Sequence, residues 1–184
     1  DGCTDLVVST EIEVYPLPAA TFTTSDALCF DQNSGKILVE NHSNGYVYYV
    51  SGTIFNGGNF GISRFDSESA LENFGFKAGD YSIRTVNENG TNCETVSQVS
   101  IGQPTAIVVS SIQENNPICE PSNGSISWVI TGGSPDPSFP FYTYTLTNTT
   151  TGQVFNNSVV SDFGGGSVGV SGLEGGQYYL TIQD

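Results

Sequence analysis

The chain has 184 residues, a net charge of −15, and only four basic side chains (Lys36, Arg64, Lys77, Arg84) against 19 acidic ones. That balance excludes nucleic acid and insertion into or binding of an anionic membrane, because neutralising phosphates requires clustered Lys and Arg. No apolar run approaches the ~18 residues of a spanning helix, while Thr, Val, Ile, Tyr and Phe separated by Gly, Asn and Ser are the composition of short strands and turns.

The elements follow in order. Residues 4–15 alternate Leu6, Val8, Ile12 and Val14 and read as a strand behind a Gly2-Cys3 turn. Labelled as in an immunoglobulin-like sandwich, a first set of strands falls at A 19–25, B 36–41, C 45–51, E 69–74, F 80–87 and G 94–102. A second set falls at A 105–113, B 124–131, C 141–148, a D-like segment 152–160, E 166–171 and F 177–183. No helix-period segment with caps is apparent. Alternation turns Ile37, Val39, Ile83 and Thr85 inward, with Ile126, Trp128, Leu180 and Ile182 as counterparts. Trp128 therefore reads as a core residue, the alternative being an exposed sugar-stacking side chain.

The two sets are copies. "GFKAGDYSIRTVN" (75–87) parallels "GLEGGQYYLTIQD" (172–184), and Cys3–Cys93 and Cys29–Cys119 are both 90 positions apart. A period near 90 built of strands and turns predicts an all-β protein of tandem immunoglobulin-like β-sandwich domains. Pro18 and Pro104 mark the junctions. The expected division is 1–17 as the terminal strand of another sandwich, 18–103 as repeat 1 and 104–184 as repeat 2, the last without its strand G. Tyr81 and Tyr178 each open strand F two residues after a Gly. A tyrosine there pins its hydroxyl to nearby backbone, the tyrosine corner of such sandwiches.

Catalysis is not indicated. The single His42 sits in the turn "ENHSNG" and reads as solvated, and Gly164-Gly165-Gly166 has no Lys-Ser/Thr after it. Four Cys without a C-x-x-C pair or a His cluster do not make a zinc site. No cofactor is expected, with calcium as the candidate ion: "FDQNSGK" (30–36) gathers Asp31, Asn33 and Ser34 beside Gly35, though without the distal Glu of an EF-hand. An ordinary Asx turn is the competing reading.

Cys before strand B and after strand F suits export into an oxidising compartment. Counting pairs Cys29 with Cys93. Sandwich topology opposes that pair, since A–B and F–G turns lie at opposite ends, roughly 20 Å apart, and a disulfide needs Cα atoms within about 7 Å. A bridge across a domain junction, from Cys29 to a Cys expected just beyond Asp184, is the favoured reading, with Cys3 of an incoming strand landing near Cys29 of the receiving chain. Because Asp184 followed by Asp1-Gly2-Cys3 restores the motif, residues 4–15 of one molecule are expected to complete repeat 2 of another.

The pattern of Cys, polar turn with Gly, strand, "GGSP" with aromatic alternation, then Gly-Leu-x-x-Gly-x-Tyr and a strand resembles the SprB-type repeats of large Bacteroidota surface adhesins, close to PKD-like and other immunoglobulin-like modules. Repeat 2 carries it best, in "CEPSNGSISWVITGGSPDPSFPFYTYTL" and "GLEGGQYYLTIQD". Repeat 1 departs, with "ENHSNGYVYYV" for the Gly-Gly-Pro turn and Phe76 for Leu. The resemblance implies an extracellular, outer-membrane-associated stalk or adhesin segment, exported by the type IX system and linked to gliding or attachment. Its partners would be neighbouring repeats of the same protein and a surface or polysaccharide ligand. Two other functions fit such a fold: a carbohydrate-binding pair using Tyr46, Tyr48, Tyr49, Phe55, Phe139, Phe141, Tyr142 and Tyr144, and accessory domains of a secreted enzyme.

Overall fold

The computed structural model of the chain describes residues 9–89, 92–116, 122–133, 141–160 and 166–183. It is nearly all β, and it divides into two compact units. Unit 1 comprises Asp1–Asp26 and Gly35–Ile101, and unit 2 comprises Ala27–Ser34 and Gly102–Asp184. Each is a two-layer immunoglobulin-like sandwich with its own core.

In unit 1, β1 (Thr21–Ser25) pairs antiparallel with β2 (Lys36–Glu40) as one layer. The facing layer has four strands. At its centre, β3 (Tyr46–Ile54) and β5 (Gly79–Asn87) pair with each other; β4 (Asn59–Phe65) flanks β3 and β6 (Glu94–Ile101) flanks β5. Alternation drives the packing: β2 buries Ile37 and Val39 and exposes Leu38, and β5 buries Tyr81, Ile83 and Thr85. With Tyr48, Val50, Phe65, Leu71, Phe76 and Ile101 these close one core. Each fully buried Ile, Leu or Phe there contributes about 1.5–3 kcal/mol relative to exposure.

Two elements depart from the sequence reading. The segment read as strand E is the helix α1 (Glu68–Asn73). Ser67 caps it, its hydroxyl accepting from the Ala70 N–H at 3.1 Å, and Glu68 lies in the first turn. Leu71 is its one buried residue, so a single apolar anchor suffices where a strand would need alternate ones. The helix also supplies what strand E would have given β2. The Glu72 carboxylate accepts from the Val39 N–H at 2.9 Å, and the Lys36 ammonium donates to the Asn73 and Phe74 carbonyls at 3.1 and 3.3 Å. The second departure is β4, which forms a hairpin with β3 through Asn56-Gly57-Gly58. Both glycines adopt positive φ (99° and 103°), which side chains on Cβ resist.

In unit 2, one layer is β11 (Gly166–Leu173), β8 (Gly124–Gly133) and β7 (Thr105–Asn115), with β8 in the middle. The other is β10 (Val154–Val160), β9 (Phe141–Asn148) and β12 (Tyr178–Gln183), with β9 in the middle. β10, expected as D-like, therefore pairs beside β9, as β4 does beside β3 in unit 1. β7 is bulged against β8 between Ser110 and Gln113, and Ser111 takes φ 53° there. Trp128, Ile130, Tyr142, Tyr144, Leu146, Val168 and Leu173 form the core. Trp128 meets Tyr144 edge-on, with centroids 5.2 Å apart.

The strand read at 4–15 lies partly outside the described residues. Its described part pairs with no strand among the described residues, and Ile12, Val14, Tyr15 and Leu17 are exposed. Packing against unit 1 begins at Pro18, which is buried and whose carbonyl accepts from the Thr95 hydroxyl at 3.2 Å.

Candidate functional site

The repeated Gly-x-Tyr builds the same corner twice. The Tyr81 hydroxyl donates to the Lys77 carbonyl and the Tyr178 hydroxyl to the Glu174 carbonyl, both at 2.8 Å and both four residues back. The glycine two positions earlier is required by close approach. A Cβ at Gly79 would run into the Thr53 carbonyl, and one at Gly176 would stand 2.6 Å from Asn148 Oδ1. The corners differ in what surrounds them. Tyr81 is fully buried among Phe60 and Phe76, with ring centroids at 5.5 and 5.2 Å, and burial pushes its phenol pKa up. Tyr178 is only half-buried.

That difference traces to the neighbouring strand. In unit 1, β5 has β3 on one side and β6 on the other, with Tyr81 opposite Val99 and Gly79 opposite Ile101. Val99 packs on the core and Ile101 is fully buried. In unit 2, β12 pairs with β9, and among the described residues no strand pairs with its other edge. A groove of about 430 Å³ opens beside it, between β12 and the β7–β8 layer. Ile112, Ile126, Trp128, Leu146, Leu173 and Leu180 line it. Leu180 and Ile182 pack on the core yet stay half-exposed, and Ile112 is 61% exposed. The Trp128 side chain is buried, and its indole N–H has no partner among the described residues. The apolar alternation that makes this wall is visible in the sequence.

The other candidates are placed as follows. Asp31 and Asn33 are exposed in a loop whose own polar groups close it: the Leu28 N–H donates to the Ser34 hydroxyl at 2.8 Å and the Asp31 N–H to Gln103 Oε1 at 2.9 Å. Asp31 adopts φ 57°, as Asn and Asp do in turns. Among the described residues no three His, Cys, Asp or Glu side chains gather as a metal site. Cys29 and Cys93 are half-buried free thiols, so the pair suggested by counting is not bonded; Cys3 and Cys119 lie outside the described residues.

His42 is not a solvated turn residue. It is half-buried against the Tyr46 and Tyr48 rings, with Nδ1 2.7 Å from the Tyr48 hydroxyl. Tyr48 is fully buried, and burial, reinforced by the charges of Glu68 and Glu72, pushes its pKa up to about 12.

The aromatics proposed for sugar stacking are mostly interior. Tyr48, Tyr142 and Tyr144 are buried, and the Tyr142 hydroxyl donates to the Gly132 carbonyl. Tyr46 and Tyr49 are half-buried, and the Tyr49 face is occupied by the Arg84 guanidinium at 4.3 Å, with Arg64 at 5.9 Å. Phe55 is exposed; Phe139 and the Phe141 side chain lie outside the described residues.

No protein-family model matches the sequence, and no curated protein matches it. Among solved structures, a segment of two fibronectin type III domains from chicken tenascin is similar at 14% identity and a TM-score of 0.32, over 89% of this chain and 97% of that one. The sandwich assignment rests on the strand pairing and the two cores rather than on that likeness.

Proposed function

We propose that the chain is a non-enzymatic stalk or adhesin segment of a large bacterial surface protein, extracellular and associated with the outer membrane. The observation that carries this reading is the reiterated unit: two successive sandwiches, each with its own core and its own tyrosine corner. A module with its own core and its own corner can be repeated to any length without redesign. The resemblance of the Cys–strand–Gly-x-Tyr pattern to SprB-type repeats supports export by the type IX system and a role in attachment or gliding.

Single-molecule pulling tests the reading. A load-bearing stalk should give two unfolding events, each releasing about 30 nm of chain, from a period near 90 residues at ~3.4 Å each. One event for the whole chain, or extension without a force peak, would contradict it.

A further inference from the structure

We infer that the outward face of the β10–β9–β12 layer is a binding platform for a neutral polysaccharide. Register fixes which side chains share that face. Tyr142, Tyr144 and Leu146 of β9 turn into the core, so Thr145 and Thr147 point away from it. Cross-strand partners lie on one face, and two rows result: Val154–Thr147–Tyr179 and Asn156–Thr145–Thr181. With strands ~4.8 Å apart and alternate residues ~7 Å apart, the two rows outline a flat patch three strands wide. Tyr179 is 65% exposed and Val154 50%. Asn156 and Thr181 are also exposed, and Thr145 and Thr147 are half-exposed. A strand laid beside β12 would widen this face without covering it, because side chains stand perpendicular to the sheet.

The chemistry of the face selects the ligand. β9, β10, β12 and the 149–153 turn contain no Asp, Glu, Lys or Arg, in a chain of net −15. The corresponding layer of unit 1 is charged. There Arg64 pairs with Glu88 and Arg84 with Glu94, at 2.9 and 2.8 Å, and the Arg84 guanidinium covers the Tyr49 ring. The tyrosine corners align the two copies, which puts Ser82 where unit 2 has Tyr179, and Arg84 where it has Thr181. Inward positions answer to the core; these outward ones do not, and here the units diverge.

A face without charge offers nothing to a polyanion or a metal ion. Its hydroxyls and amide both donate and accept, as sugar hydroxyls do. Tyr179 adds an apolar ring, with a polar tip, against which the C–H face of a sugar can lie. A small molecule would need a concave pocket burying most of its surface. A protein partner would need an apolar interface core larger than Val154 and Tyr179 provide. An extended chain of neutral sugars meets both limits. Tyr179 stacks on one ring, and Thr145, Thr181 and Asn156 bond the hydroxyls of its neighbour. This deepens the attachment reading above and rests on it.

Affinity electrophoresis of the full chain tests the inference. Native gels contain soluble β-glucan, arabinoxylan, galactomannan or agarose, one per gel, with a sulfated galactan as the anionic counterpart. The wild type should be retarded in at least one neutral gel, and in the sulfated gel no more than in plain gel. Tyr179→Ala should abolish the retardation and Thr145→Val/Asn156→Ala should reduce it. The melting of unit 2 should be unchanged in both, because these side chains face outward. Val96→Ala, at an exposed position on the corresponding layer of unit 1, should migrate as the wild type does. Free migration in every neutral gel overturns the inference. So does retardation that survives Tyr179→Ala, or that appears in the sulfated gel alone. Two unfolding events under force would still be observed in those cases, so the stalk reading stands or falls separately.

Discussion

Replacing Tyr81 or Tyr178 by Phe removes one hydroxyl and leaves each ring in place. The two hydrogen bonds are equal in length, 2.8 Å to the carbonyl four residues back. An intramolecular hydrogen bond contributes a net ~0.5–1.5 kcal/mol, with the upper end reached where water cannot replace the lost partner. Tyr81 is sealed beneath β6 and Tyr178 borders an open groove. Tyr81→Phe is therefore expected to cost about 1.5 kcal/mol and Tyr178→Phe about 0.5 kcal/mol. For units of this size 1 kcal/mol shifts Tm by about 4–8 °C. Tyr179→Phe is the control, since Tyr179 is 65% exposed. Urea melts of the three variants, with each unit's transition followed separately, give the comparison. If both corner variants melt like Tyr179→Phe, the corner hydroxyls do not hold the turns. If Tyr178→Phe costs as much as Tyr81→Phe, the groove is not open to water.

His42→Ala should destabilise unit 1 by about 1–3 kcal/mol in a denaturant melt, because the Tyr48 hydroxyl loses its partner while buried. Tyr48 also sets an alkaline limit. Its folded pKa of about 12 exceeds the ordinary value near 10, so the folded state holds its proton more tightly. The stabilisation is complete below pH ~10 and lost as pH rises towards 12. Urea midpoints between pH 9 and 11.5 should fall in the wild type and fall less in Tyr48→Phe. Gly79→Ala should cost at least ~1–3 kcal/mol, since the new methyl meets backbone at Thr53; a neutral melt would refute that close approach. Millimolar calcium is expected to leave both transitions where they are. A rise in Tm reversed by EDTA would instead assign Asp31 and Asn33 as ligands.

The parts legible in the sequence were those written by short-range chemistry. Alternation placed Ile37, Val39, Ile83 and Thr85 inward, and the repeated Gly-x-Tyr marked both corners. The misreadings came where local signals compete. Ser67-Glu68-Ser69-Ala70-Leu71-Glu72 carries an N-cap and good helix formers, and these local preferences prevail over the strand E that the sandwich pattern predicts. Asn56-Gly57-Gly58 is a hairpin signal that turns β3 back into β4, whereas the sandwich pattern places no strand between C and E. His42 was beyond reach, because its neighbour Tyr48 is brought to it by the turn between β2 and β3. The groove was legible only by subtraction, as repeat 1 with one strand taken away.

In unit 1, α1 closes one edge of β2 with a side chain rather than with another ladder: the Glu72 carboxylate accepts the Val39 N–H at 2.9 Å. A free strand edge is a template for pairing with other chains. Val39 is itself buried, so its N–H is poorly placed to find water once the carboxylate is removed. Glu72→Ala should therefore cost unit 1 about 1–3 kcal/mol in a urea melt, while Glu72→Gln, whose amide oxygen can still accept, should cost less. Equal losses for the two variants would show that α1 holds β2 through the packing of Leu71 and not through this hydrogen bond.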